Sequence, residues 1–242
     1  MKVAVCISGL PRGKPGRDIT LNFLNLKRNF PKADFYMGTW KGQESLVQTL
    51  FPDENVWYFD EPVIDYHPYL DIAEEDIFKR IKKPISICRT RETFRETSSH
   101  QTKQIIAHAL MVDKLPKKYD VVIRVRYDTF TSPVAEFERY TKNAHTNKRA
   151  IGFACLKHHW SEFNSAHEVT ENVERFLFDQ LIIHSIENIN TTEIYSLSQE
   201  KKLLPAEFGW WQVLSHPHND NHLCVSGWAN PDRSVETRFL NK

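Results

Sequence analysis

The stretch YDVVIRVRYDTF carries the densest set of groups able to handle a phosphate. Alternate residues of an extended strand share a face, so Val122, Arg124, Arg126 and Asp128 point one way while Val121, Ile123, Val125 and Tyr127 point the other. Two guanidinium groups and a carboxylate aimed from one strand end suit a diphosphate. Arginine forks onto phosphate oxygens, and a carboxylate offers a hard oxygen ligand to Mn²⁺ or Mg²⁺. The competing reading is structural, an Arg–Asp pair that satisfies itself where the strand stops.

A second basic cluster follows the opening run in VAVCISGLPRGKPGRD. A P-loop needs four residues between its glycines and Ser or Thr after the lysine. Here Leu10, Pro11 and Arg12 separate Gly9 from Gly13, and Lys14 is followed by Pro15, which removes a backbone N–H that a phosphate nest would use. What remains is a loop in which Gly9 allows close approach of a ligand and Arg12 offers charge to a phosphate, or an ordinary turn with Arg12, Lys14 and Arg17 in water.

Acid–base chemistry has two candidates, Asp179 in FLFDQLIIHS and Glu207 in PAEFGWWQVL. Apolar surroundings raise a carboxyl pKa towards that of a useful base. Against this, Glu207 in a first helical turn also complements the helix dipole, and Asp179 shares a polar stripe with Gln180 and His184. Trp210 and Trp211 beside Glu207 either stack on a sugar or fill the core. The segment His216-Pro-His218-Asn-Asp-Asn-His222 matches no zinc spacing and reads as a solvated loop.

The elements that must position these groups alternate in type. VAVCISG reads as a strand and DITLNFLNLKRNF as a helix with Asp18 as N-cap. ADFYMGTW and NVWYFD read as strands flanking a short helix ESLVQTLF. Tyr66 to Lys83 is acidic and weakly helical, and RTRETFRETSSH reads as an exposed loop over the sheet edge. SSHQTKQIIAHALMVDKL then opens on a capping box, Ser98 with Gln101, which sets His100, Gln101 and Lys103 in a first turn whose N–H groups and lysine could meet a donor substrate. YDVVIRVRYDTF is the central strand and RAIGFACLKHHW another. ENVERFLFDQLIIHSIENI reads as an apolar helix, and the C-terminal part as a short helix and a final strand. The alternation predicts an α/β fold, a mixed, mainly parallel central sheet with helices on both faces.

Composition narrows the function classes. The 242 residues fit a single domain. Lys plus Arg number 32 against 31 Asp plus Glu, so no global field points to nucleic acid. Cys6, Cys88, Cys155 and Cys224 show no CxxC spacing and read as reduced thiols in a cytoplasmic setting. The apolar run Val3 to Leu10 is too short for a transmembrane segment and reads as a buried strand.

With VAVCISGLPR ahead of it, YDVVIRVRYDTF resembles the GT-A-fold glycosyltransferases that use nucleotide sugars, in particular small capsule or lipopolysaccharide-type members with an IR-x-R-x-D segment. The resemblance implies a UDP- or GDP-type sugar donor, a glycan or other hydroxyl acceptor, and a single domain whose nucleotide-binding part covers about 1–130 and acceptor-side part about 131–242. It implies donor contacts from Gly9, Arg12, Lys103, Arg124, Arg126 and Asp128, with Mn²⁺ or Mg²⁺ on Asp128 and His218 or His222 as a late histidine able to join it, and Asp179 or Glu207 as catalytic carboxyl groups. The family's Asp-x-Asp motif is here Arg126-Tyr127-Asp128, so Arg126 stands where a metal-binding carboxylate is expected and could neutralise the diphosphate itself. Two other readings stay open: a sulfotransferase-like nucleotide-phosphate enzyme using SGLPRGKPGRD, and a catalytically silent module that binds glycans through its aromatic residues.

Overall fold

A computed structural model describes residues 1–9, 17–47, 55–66, 91–127, 129, 137–154, 167–169, 177, 179–204 and 206–226. In chain order they form β1 (Val3–Ser8), α1 (Arg17–Asn29), β2 (Asp34–Trp40), β3 (Val56–Phe59), α2 (Arg91–Lys114), β4 (Val121–Val125), α3 (Phe137–Asn147), β5 (Ala150–Ala154), β6 (His167–Val169), β7 (Leu181–Ser185), α4 (Thr191–Gln199), α5 (Ala206–Leu214) and β8 (His222–Ser226).

The strands form one eight-stranded sheet in the order β3-β2-β1-β4-β7-β5-β8-β6. β1, β2, β3 and β4 are parallel neighbours, β7 runs antiparallel between β4 and β5, and β8 is parallel to β5. The carboxyl ends of β1 to β5 and β8 therefore share one edge, where open α/β sheets bind ligands. The amino end of β7 meets that edge, with Leu181 opposite Val125.

Alternation along β1 and β4 divides the core. Val5, Ile7, Val121, Ile123, Val125 and Tyr127 pack with Phe23, Leu26 and Phe30 of α1 and Phe137, Tyr140 and Ala144 of α3. Ala4, Cys6 and Val122 pack on the other face with Ala107 and Met111 of α2. Further along that face, Ile105 and Ile106 of α2 join Trp210 and Leu214 of α5, Ile194 of α4 and Ile182 of β7. Helices thus cover both faces, as the alternation predicted. Cys6 and Cys224 are buried free thiols; Cys88 and Cys155 lie outside the described residues. No helix among the described residues is long and apolar enough to cross a membrane.

Four expectations are corrected. Of RTRETFRETSSH, read as a loop, Arg91 onwards is helical, so Ser98 and Gln101 lie inside α2 rather than at its start. His100, Gln101 and Lys103 are accordingly about three turns from the helix start, away from its free N–H groups. Asp18 lies inside α1, which begins at Arg17, rather than at its N-cap. Within ENVERFLFDQLIIHSIENI, read as an apolar helix, Leu181–Ser185 is instead β7, all five of whose residues are buried between β4 and β5, while 171–176 and 178 lie outside the described residues. A strand covered on both faces reads as a continuous apolar run and loses its alternation. The short helix read in ESLVQTLF shows a single 3₁₀ turn, Glu44–Leu46, and its remainder lies outside the described residues. So does nearly all of Tyr66 to Lys83.

Candidate functional site

Arg124 and Arg126 leave β4 on the α2 face, as the alternation required, yet their surroundings differ. Arg124 is fully buried. Its Nη2 donates to Gln104 Oε1 at 2.6 Å, its Nη1 donates to the backbone O of Asp179, and its guanidinium lies 4.8 Å from the centre of the Trp210 ring. A buried cation is tolerated where hydrogen-bond acceptors and an aromatic face support it. Arg126, two residues on, sits at the edge with a quarter of its side chain exposed, and its Nη1 lies 3.5 Å from Asp179 Oδ2.

Asp179 belongs to the segment that enters β7, not to a helix, and it is held from several sides. Arg124 takes its carbonyl, while the next carbonyl, of Gln180, accepts from Thr129 Oγ1 at 3.0 Å and from the Arg126 N–H at 3.4 Å. Upstream, the Leu177 N–H donates to the Glu207 carbonyl at 3.1 Å, which ties the same segment to the first turn of α5. Four residues far apart in sequence, Arg124, Arg126, Asp179 and Glu207, are gathered at the carboxyl edge of the sheet.

Burial, and after it the negative charge of Asp179, push the Glu207 carboxyl up to about 8, against the smaller opposing effects of Arg126 and Arg124. The group therefore keeps its proton at neutral pH and sheds it in mildly alkaline solution. Gly209 explains how α5 comes so close to α2: a Cβ there would collide with the Leu204 carbonyl and the Ile105 side chain.

Gly9 ends β1 with φ +109°, which glycine adopts without strain. Its N–H donates to the Gly38 carbonyl at 3.2 Å, and a Cβ there would meet Gln104 Cγ at 3.7 Å, so it borders the Arg124 cluster. Lys103 precedes Gln104 on α2, and its Nζ lies 2.7 Å from Glu61 Oε1. Arg12, Lys14 and Asp128 lie outside the described residues.

Other sequence candidates fall elsewhere. Trp210 is fully buried and Trp211 nearly so, its Nε1 donating to Asp220 Oδ1 at 2.9 Å, so neither presents a face to a sugar. The histidines lie at the opposite edge: His222 opens β8 beside Ala150, the first residue of β5, and bonds Ser215 Oγ at 2.7 Å, while His218 Nε2 donates to the Asn188 carbonyl at 3.1 Å. Neither can join a metal at the carboxyl ends. Among the described residues no cluster of three or more His, Cys, Asp or Glu side chains is placed to hold a metal ion.

Sequence reasoning missed Gln104, which seats Arg124, and the pair His108–His184 behind it. Gln104 gave no signal beyond its place one turn ahead of His108 on the helix. The two fully buried imidazoles meet at 2.9 Å through their Nε2 atoms, and His184 Nδ1 donates to the Ser185 carbonyl at 2.8 Å. In the neutral pair His184 Nε2 is then the acceptor and His108 Nε2 the donor. Burial lowers both pKa values, that of His184 to about 4, and the charge of Arg124 lowers His108 further.

No sequence-family model and no curated protein sequence matches the chain. Solved structures resemble it in outline. A 4-diphosphocytidyl-2C-methyl-D-erythritol synthase from Anaerococcus prevotii is 10% identical with a TM-score of 0.49, covering 99% of this chain and 95% of its own. Mouse xyloside xylosyltransferase 1 is 9% identical with a TM-score of 0.40, covering 91% and 83%. The galactosyltransferase LgtC, solved with donor and acceptor sugar analogues, is 8% identical with a TM-score of 0.40, covering 86% and 68%. At these scores nothing about substrate or activity passes to this chain.

Proposed function

We propose that this protein is a nucleotide-sugar-dependent glycosyltransferase of the GT-A kind, moving a sugar from a UDP- or GDP-type donor to a hydroxyl of a glycan or similar acceptor. The observation that carries this reading is the partly exposed guanidinium of Arg126 beside two carboxyl groups, Asp179 and Glu207, at the carboxyl edge of the sheet. It stands where the resemblance in VRYDTF expects the donor diphosphate.

Each group has a task the geometry supports. Arg126 stabilises the negative charge that grows on the diphosphate as the anomeric C–O bond breaks. Asp179, strapped to the end of β4 through its own and the following carbonyl, orients that guanidinium. In its ionised form, which prevails above about pH 8, Glu207 takes the proton of the acceptor hydroxyl as its oxygen bonds to the anomeric carbon, and the raised pKa makes it a stronger base than an ordinary carboxylate. Arg124 acts through Asp179 and Trp210, as a positioning residue inside the site rather than a contact with the donor.

The described carboxyl groups do not fit a divalent cation. Asp179 faces Arg126, and Glu207 is protonated at neutral pH, so no step is assigned to a metal. Turnover assayed over a panel of UDP- and GDP-sugars tests the proposal: Arg126→Ala and Glu207→Gln should each lose about 100-fold or more. Tight binding of 3′-phosphoadenosine 5′-phosphate, with none of a nucleoside diphosphate, would replace the reading with the sulfotransferase-like one.

A further inference from the structure

Ser8 is the last residue of β1 and is 2% exposed, and its Oγ has no hydrogen-bond partner among the described residues. Leaving a buried hydroxyl unsatisfied is destabilising, so such a group calls for a cause. Ala4 and Cys6 face α2, and the pleat turns Ser8 the same way. In the ladder between β1 and β4, Cys6 is opposite Arg124 and Ile7 is opposite Val125, so the next step sets Ser8 beside Arg126, one strand spacing of about 5 Å away. On its other side Ser8 pairs with Gly38, which adds no side chain.

Other buried polar atoms without a partner among the described residues do not share this place. Thr39 lies on the opposite face, beside Tyr127. His108 Nδ1 and Trp210 Nε1 are enclosed in the core behind Arg124, whose own Nε belongs to a fully buried guanidinium already held by Gln104 and the Asp179 carbonyl, and Asn188 and His145 lie towards the amino edge. Ser8 combines the carboxyl edge, the α2 face and a neighbouring arginine that reaches solvent.

We infer that Ser8 is a ligand-binding residue whose hydroxyl donates to an anionic phosphate oxygen held at the same time by Arg126. The inference rests on the reading of this edge as a diphosphate site and adds a neutral donor to it. A phosphate group spans the gap between adjacent strands, and a hydroxyl already stripped of water meets it with little further desolvation.

The test is calorimetric titration of pyrophosphate, UDP, GDP and the nucleosides uridine and guanosine into wild type, Ser8→Ala and Ser8→Thr, with the Tm of each free protein. Ser8→Ala should weaken pyrophosphate and diphosphate binding about tenfold while its Tm stays level or rises, because an unsatisfied hydroxyl has been removed. Ser8→Thr, which keeps the hydroxyl, should stay within about threefold. Unchanged pyrophosphate affinity in Ser8→Ala, or a loss confined to the nucleosides, overturns the inference and leaves the proposed function standing. A fall in Tm without loss of affinity would make the hydroxyl structural and also overturn it. If the wild type binds none of these compounds, the proposed function fails, and this inference with it.

Discussion

Two arginines two positions apart on one strand have different work because the sheet edge falls between them. Arg124 is sealed under Gln104, the Asp179 carbonyl and Trp210, whereas Arg126 reaches solvent. Replacing Arg124 with Ala should therefore destabilise the fold by about 3 kcal/mol or more, measured by urea unfolding, since it opens a hole and strands two acceptors. Arg126→Ala should cost under about 1 kcal/mol on the same measurement, as expected of a partly exposed ion pair, and act on ligand binding instead. At Glu207 the expectation concerns pH. A base with its pKa raised to about 8 gives a turnover that climbs with pH and levels off above that value, and Glu207→Gln removes the climb along with most of the rate.

Elements, rather than residues, decide whether these groups meet. Gly209 lets α5 lie against α2 with Ile105 filling the space a side chain would need. Gly209→Ala should push the helices apart and lower the Tm by roughly 5 °C or more, consistent with an overpacking cost of about 1–3 kcal/mol. The β1, β2, β3, β4 and β8 segments and the division of faces along β4 were legible in the sequence, because β-branched runs and alternation there have one interpretation. β7 was not. LIIHS is a short apolar run with no polar face, and a strand enclosed by β4 and β5 carries the same pattern as a buried turn of helix. The misreading of Asp179 as a helical residue followed from that, and its true place, in the segment entering β7, is what brings it to Arg126. The start of α2 was hidden for a different reason: Ser98 and Gln101 have capping-box spacing, but Arg and Glu upstream are good helix formers and carry the helix back to Arg91. Arg126 and Glu207 as candidates came from residue type and setting. Gln104 and Ser8 did not, because a lone amide on a helix and a serine in a strand gain meaning only from what lies across from them.

For the whole molecule, pH links the site to stability with opposite signs in two windows. Glu207 binds its proton more tightly folded than unfolded, so the stability it contributes is present at low pH and is lost as pH rises from about 4.5 to about 8. The His108–His184 pair has folded pKa values below the unfolded value near 6.5, so its cost appears as pH falls from there towards about 4. Between pH 6.5 and 8 Glu207 acts alone of the three. Chemical denaturation across that interval should show stability falling with pH in wild type and a flatter line in Glu207→Gln. The arrangement as a whole gathers groups from β1, α2, β4, the entry to β7 and α5 onto one edge of the sheet, with Arg126 as the cation proposed to meet the ligand. Calorimetric titration of UDP and GDP into wild type and Arg126→Ala, each with and without Mn²⁺, tests this most directly. A nucleoside diphosphate should bind the wild type and lose about 100-fold in affinity, roughly 2.7 kcal/mol, in Arg126→Ala. Equal affinity in the two proteins, or no binding of either nucleotide to the wild type, would contradict it.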